Sequence, residues 1–241
     1  MDLGIDGKVA LVTAGSRGLG RATAVALAHE GVRVMLSGRD SGSLEEARRS
    51  LAEQGADVAV RAGDVTEPDE PTRLVAATVE RFGGLDILVA NAGGPAPGRA
   101  IDQSDAALEA AINANLLTSI RLVRESQPHM RAAGWGRICC ITSYTVKQAA
   151  PSLALSNTAR VGLWGWMKTA AQDLTSDGSG ITINMICPGP HATDRMKELG
   201  GSGVMGDPAD FGAVAAFLCS TQANFVNGSA VVVDGGATLA L

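Results

Sequence analysis

The chain has 241 residues, 46% of them hydrophobic, with a formal charge of −5 and no basic block. Such a length suits one large α/β domain, and the charge excludes the electrostatic footprint of a nucleic-acid binder. Only 3% of residues are aromatic while 30 are glycine, so the core must come from Ala, Val, Leu and Ile, with tight turns and close helix–sheet packing.

The N-terminal MDLGIDGK has neither a basic n-region nor an apolar h-region, and no apolar stretch approaches about 18 residues. Neither a secretory signal nor a membrane span is expected. Cys139, Cys140, Cys187 and Cys219 show no metal-ligand spacing and no disulfide framework. They read as buried small hydrophobes, and a cytoplasmic location is expected.

Short apolar runs predict strands at 8–14, 33–37, 57–63, 86–91, 137–143, 182–187 and 230–234. Helix-like segments predict helices at 18–30, 43–54, 69–82, 104–132, 157–175 and 208–220. Strands apolar almost throughout are covered on both faces. Regular alternation with helices implies a single-domain, Rossmann-like, doubly wound, seven-stranded parallel sheet flanked by helices. No linker appears, and residues 1–241 read as one domain.

The first strand runs into VTAGSRGLGRATAVALAHEG. Small residues at Ala14, Gly15, Ser16, Gly18 and Gly20, with Arg17 and Leu19 between them, let a phosphate approach the N-terminus of the following helix. A strand before and a helix after make this glycine pattern a candidate nucleotide site.

The order Thr13-x-x-x-x-Gly18-x-Gly20 resembles the TGxxxGxG motif of the short-chain dehydrogenase/reductase family, with Ala14 where its first glycine is expected. The resemblance covers nearly the whole chain and implies a dinucleotide-binding domain. GDV (63–65) resembles the segment beside the adenine ring, which implies that role for Asp64 and Val65. NAGG (91–94) resembles the turn beside the adenosine ribose, implicating Asn91, Ala92 and Gly93. PGPHAT (188–193) resembles the segment that meets the nicotinamide, implicating Pro188, Gly189 and Thr193. The segment 194–207 stands where the family places a helical lid over substrate, and it is short and Gly-rich. A homotetramer or homodimer is expected from the same resemblance.

At the end of the second strand an acidic residue would favour NAD by bonding the ribose 2′-hydroxyl. Ser37 stands there instead. Arg39 and Arg17 offer two guanidinium groups for a 2′-phosphate, although Asp40 is a competing partner for Arg39. NADP(H) is therefore expected over NAD(H).

The family resembled here uses Asn, Ser, Tyr and Lys to move a proton to or from the substrate oxygen. Asn115 and Ser143 match two of these. The register from Ser143 and from the downstream VGLWGWMKTAAQDL puts Ser156 at the Tyr position and Arg160 at the Lys position, so the expected YxxxK reads SNTAR. An aliphatic hydroxyl is a far weaker acid than a phenol, and Arg keeps its proton. Arg160 can still bond the nicotinamide ribose. Three substitutes for the missing acid are Tyr144, the first choice, His191, and a water held by Ser143, Ser156 and Asn115. Lys147 reads as solvated. The expected function is an NADP-dependent oxidoreductase interconverting a carbonyl and an alcohol. The nearest resemblance is to bacterial 3-oxoacyl-carrier-protein reductases, which act on acyl thioesters. The alternative is a catalytically weak nucleotide-binding sensor or partner subunit. No metal is expected.

Overall fold

The computed structural model describes residues 1–201 and 203–240. Its strands are β1 (Val9–Val12), β2 (Arg33–Gly38), β3 (Val58–Ala62), β4 (Ile87–Ala90), β5 (Gly136–Ile141), β6 (Ile181–Pro188) and β7 (Ala230–Val233). They form one parallel sheet in the order β3-β2-β1-β4-β5-β6-β7. Every predicted strand is present, and the doubly wound fold is as expected.

The helices are α1 (Gly18–His29), α2 (Ser41–Ala52), α3 (Glu70–Phe82), α4 (Asp105–Ile112), α5 (Thr118–Ala133), α6 (Ala154–Ser176), α7 (Asp194–Glu198) and α8 (Pro208–Leu218). One apolar layer joins Leu27, Leu44, Leu51 and Phe211, from α1, α2 and α8, to the sheet. The other joins Leu74, Leu122, Leu163 and Met167, from α3, α5 and α6, to the opposite face. Sandwiched between them, β1 and β4 are buried at every position, which is why VALV and ILVA lack polar alternation. The strand order reverses between β1 and β4, where the crossovers leave on opposite faces and open a crevice beyond the strand ends.

Two predicted helices differ. The single helix expected at 104–132 is interrupted by a π-helical turn at Asn113–Leu117, between α4 and α5. Residues on both sides keep right-handed helical dihedrals, so no breaker residue marks the interruption and the sequence reads as one helix. Helix α6 begins at Ala154 rather than at 157. Ser156 and Asn157 therefore lie inside its first turn. The N-cap is Leu153, with no side-chain capping bond, and the Asn157 amide donates to the Ala150 carbonyl instead, at 2.9 Å.

The β1–α1 turn requires two special backbones. Gly18 has φ +59°, and Ala14 has φ +45°, the one non-glycine residue at positive φ among those described. Gly20 faces a different limit, because a β-carbon there would lie 2.5 Å from the Ala14 carbonyl oxygen. Ala14 thus keeps the left-handed conformation that its missing glycine would adopt freely, at a cost of about 1 kcal/mol.

Ala14→Gly should relieve that strain, partly offset by a more flexible unfolded chain. The expected result is a Tm higher by about 1–3 °C in a calorimetric scan; an unchanged or lower Tm would contradict the strain.

Candidate active site

A cleft of about 420 Å³ opens beyond the carboxyl ends of the strands. It gathers residues remote in sequence: Ala14 and Arg17–Leu19 from the glycine turn, Arg39 after β2, and Asn91–Pro95 after β4. Ser143 and Tyr144 follow β5, Ser156 and Arg160 sit on α6, and Pro188, Gly189, His191 and Thr193 follow β6. Gly15, Ser16, Gly20, Asp64, Val65 and Asn115 do not line it. The first three shape the turn behind it. The Gly15 N–H donates to the Ser37 carbonyl at 2.9 Å, and Gly20 allows the close pass described above.

Two turns are bolted together at the centre. The Thr13 hydroxyl donates to the Asn91 carbonyl at 2.7 Å and accepts from the Asn91 N–H at 2.8 Å. The Asn91 amide donates to the Ala14 carbonyl at 3.3 Å. Asn91 thereby supports the strained Ala14 from the neighbouring strand.

At the β2 end the competition for Arg39 is resolved by helix capping. Asp40 is the N-cap of α2 and accepts from the Ser43 N–H at 2.7 Å. That hydrogen bonding holds its carboxyl below the ordinary range. No ion pair of Arg39 or Arg17 occurs among the described residues. Both guanidinium groups border the cleft, with Asp64 near Arg39 and Asp194 near Arg17, and a guanidinium fork suits an anion.

At the other end Ser143 and Tyr144 open a short 3-10 turn. The Ser143 Oγ accepts from the Thr145 N–H at 3.2 Å, an ST-type turn that holds the hydroxyl at the cleft wall. Ser156 and Arg160 lie one helical turn apart on α6, each only 8% exposed. The Arg160 Nη1 donates to the Ile141 carbonyl at 3.3 Å, while its Nε is buried without a partner. Burial pushes this guanidinium down to about 10, with nearby Cys187 opposing and Arg195 adding to the shift. An unpaired, desolvated cation in a cleft fits a polyhydroxylated or anionic ligand.

His191 is less suited to proton transfer than its position suggested. Its ring is 4% exposed and packs edge-on against Phe211 at 5.3 Å between centroids. Nδ1–H donates to the Gly189 carbonyl at 3.0 Å. The Cδ2–Nε2 edge lies against Gly206, where a β-carbon would approach to 2.9 Å. The ring is wedged between the post-β6 loop and α8. Lys147, expected to be solvated, is exposed, and its Nζ lies 4.0 Å from the centre of the Trp164 ring. Asn115 is 5% exposed and sits behind the cleft. Its amide reaches the Ala111 carbonyl at 3.5 Å, and its Oδ1 has no partner.

Arg195 borders the cleft and escaped the sequence reading. Its Nη2 donates to the Pro95 carbonyl at 2.8 Å and lies 3.4 Å from that of Gly94. These acceptors are backbone atoms a hundred residues away, and no side-chain motif announces them.

The family described as "Enoyl-(Acyl carrier protein) reductase" matches residues 13–238. Dehydrogenase/reductase SDR family member 4 of Homo sapiens is 30% identical over 243 residues, covering 95% of this chain and 87% of its own length. The structure of L-sorbose reductase from Gluconobacter frateurii, complexed with NADPH and L-sorbose, superposes with a TM-score of 0.92. The two chains are 32% identical and cover each other fully. A 7α-hydroxysteroid dehydrogenase complexed with NADH and 7-oxo glycochenodeoxycholic acid gives a TM-score of 0.92 at 27% identity, covering 98% of this chain and 96% of its own.

Removing the buried charge tests whether Arg160 serves the site or the fold. Replacing a desolvated, partly unpaired cation by an apolar side chain of similar length is neutral to stabilising. Arg160→Met should leave Tm equal or higher in a thermal melt. A fall of several degrees would show that the guanidinium is structural.

Proposed function

We propose that this chain, which belongs to the short-chain dehydrogenase/reductase family of oxidoreductases, is an NADP-dependent enzyme that interconverts a carbonyl and an alcohol. The observation that carries the reading is Arg160, a buried guanidinium with an unpartnered Nε, one helical turn from Ser156 and in the same cleft as Ser143 and Tyr144. A bound nicotinamide dinucleotide would supply or accept the hydride at the substrate carbon.

The residues fit such a group. Gly18 and Gly20, with Ala14, Gly15, Ser16 and Leu19, form the turn for its pyrophosphate. Arg17 and Arg39 are placed for a 2′-phosphate, which supports NADP(H) over NAD(H). Asp64 and Val65 serve the adenine end, and Asn91, Ala92 and Gly93 the adjoining ribose. Pro188, Gly189 and Thr193 meet the nicotinamide, whose ribose hydroxyls Arg160 bonds. Ser143 orients the substrate oxygen and Ser156 adds a second hydroxyl. Tyr144, on the 3-10 turn lining the cleft, supplies the proton, since His191 is wedged against Phe211. Asn115 supports the floor from behind. The segment 194–207 acts as a shortened lid, and among its described residues the five-residue α7 is the only helix. The substrate class is a small carbonyl compound, a 3-oxoacyl thioester among those to assay.

The SNTAR sequence favours one competing reading, a nucleotide-binding sensor or partner subunit with little turnover. Without a positioned general acid the rate falls by about 10²–10⁴-fold. Fluorescence titration with NADPH and NADH, followed by turnover assays on ketones and 3-oxoacyl thioesters, separates the two. Tight NADPH binding without turnover on any of them selects the second.

Arg39→Ala should weaken NADPH binding by about tenfold, a loss of about 1.4 kcal/mol, and leave NADH unchanged; equal effects on both would remove the 2′-phosphate role. Tyr144→Phe should lower kcat by about 10²-fold or more with KM for the cofactor unchanged, and full activity in that variant would eliminate Tyr144 as the acid. The double change Ser156→Tyr with Arg160→Lys should raise kcat, measured at saturating cofactor.

A further inference from the structure

We infer that Asn113 is a positioning residue: it fastens the Asp64–Thr66 loop, which the reading above assigns to the adenosine end of the cofactor, to the π-helical turn that carries Asn115. The inference rests on that reading for the identity of the ligand, and on the hydrogen bonds for the rest.

The connection can be followed atom by atom. The Asp64 Oδ1 accepts from the Thr66 N–H at 3.0 Å and from the Thr66 hydroxyl at 2.8 Å. Aspartate and threonine are thus one Asx-type turn, and the Thr66 N–H above all, with the Thr66 hydroxyl and the charge of Arg39, holds the carboxyl below the ordinary range. The Thr66 carbonyl in turn accepts from the Asn113 amide at 3.0 Å. The Arg121 guanidinium donates to the Asn113 Oδ1 at 2.7 Å. Because Arg can only donate, the amide oxygen must face Arg121 and its NH₂ must face Thr66. The orientation of Asn113 is therefore set at both ends.

A second bond runs in parallel. The Thr118 hydroxyl lies 2.9 Å from the Asn113 carbonyl and 3.4 Å from the Val65 carbonyl. It closes the π turn across five residues and touches the same loop. Asn113 and Thr118 are the two ends of the widened turn, and Asn115 is at its middle. An ordinary α-helix through this stretch would change the relation of these side chains to one another, because a π turn adds a residue to the loop of the backbone hydrogen bond. The interruption thus brings two side chains onto the 64–66 loop, and the same turn carries the buried Asn115. Asn113 holds no other described side-chain partner and does not line the cleft. Its contacts belong to neither core layer.

The consequence is that occupancy of the adenosine end bears on the turn that carries Asn115 through two hydrogen bonds. Two probes that each carry half of the cofactor test it without turnover: 2′,5′-ADP, which has the adenosine half alone, and nicotinamide mononucleotide, which lacks it. By titration calorimetry, Asn113→Ala should bind 2′,5′-ADP about 3–10-fold more weakly, as one lost hydrogen bond implies. Its affinity for nicotinamide mononucleotide should match that of the unaltered protein. Amide exchange across 113–118 should slow on adding 2′,5′-ADP to the unaltered protein, and not in the variant. Equal weakening toward both probes, or unchanged binding of 2′,5′-ADP, overturns the inference, as does slowing that persists in the variant. Should Asn113→Ala fail to fold, Thr118→Val removes the parallel bond with little change of shape, and the same pattern is expected of it. Absence of binding of intact NADPH to the unaltered protein would instead overturn the cofactor reading and this inference with it.

Discussion

A single hydroxyl holds the centre of this molecule. Thr13, fully buried at the end of β1, both donates to and accepts from the backbone of Asn91, at 2.7 and 2.8 Å. The two strands it joins are those between which the sheet order reverses. From that point the chain leaves to opposite faces, and the crevice that results gathers Arg17, Arg39, Ser143, Tyr144, Ser156 and Arg160. A valine at this position would fill the same volume, but it would leave a buried N–H and a buried carbonyl unpaired, each an expensive orphan. The glycine turn then rests on Asn91, whose amide steadies Ala14 in a left-handed backbone that alanine rarely adopts.

Electrostatics divide the cleft into two ends. The chain is acidic overall, with 25 Asp and Glu against 20 Lys and Arg, yet Arg17, Arg39, Arg160 and Arg195 all border this one space. Their environments differ. Arg17 and Arg39 are exposed and keep their charges in water. Arg160 is desolvated, and burial works against its charge. Arg195 pairs with Glu198 through Nη1 and reaches the carbonyls of Gly94 and Pro95 through Nη2, tying the segment after β6 to the turn after β4. Asp40 could have cancelled Arg39, but helix α2 needed a cap and the geometry of that need prevailed.

Serine at 156 and arginine at 160 sit in a regularly packed helix. Both lie on the first two turns of α6, where Leu155, Ala159 and Leu163 pack inward and hold the helix in register. Ser156 and Arg160 stand on the same helix and border the cleft. A serine hydroxyl is a far weaker acid than a phenol, and an arginine keeps its charge without sharing its proton. Tyr144, the chain's only tyrosine, opens the neighbouring 3-10 turn and lines the same cleft.

The order of strands and helices was legible in the sequence because fully covered parallel strands must be apolar and their crossovers amphipathic, as VALV, ILVA and the helix after Gly20 are. The glycine turn, Ser143 and the register of SNTAR were legible too, since short-range spacing along a strand–turn–helix unit fixes which residues share one end. The π turn at 113–117 was not, because no breaker residue marks it and the residues on both sides keep helical dihedrals. The role of Asp40 as a cap, the packing of His191 on Phe211, and the reach of Arg195 to Pro95 were likewise hidden. Each depends on which of several available partners comes nearest once the chain is folded. Local pattern determined the architecture and the composition of the cleft; long-range packing alone decided which charges are paired, which are buried, and which remain free to meet a ligand.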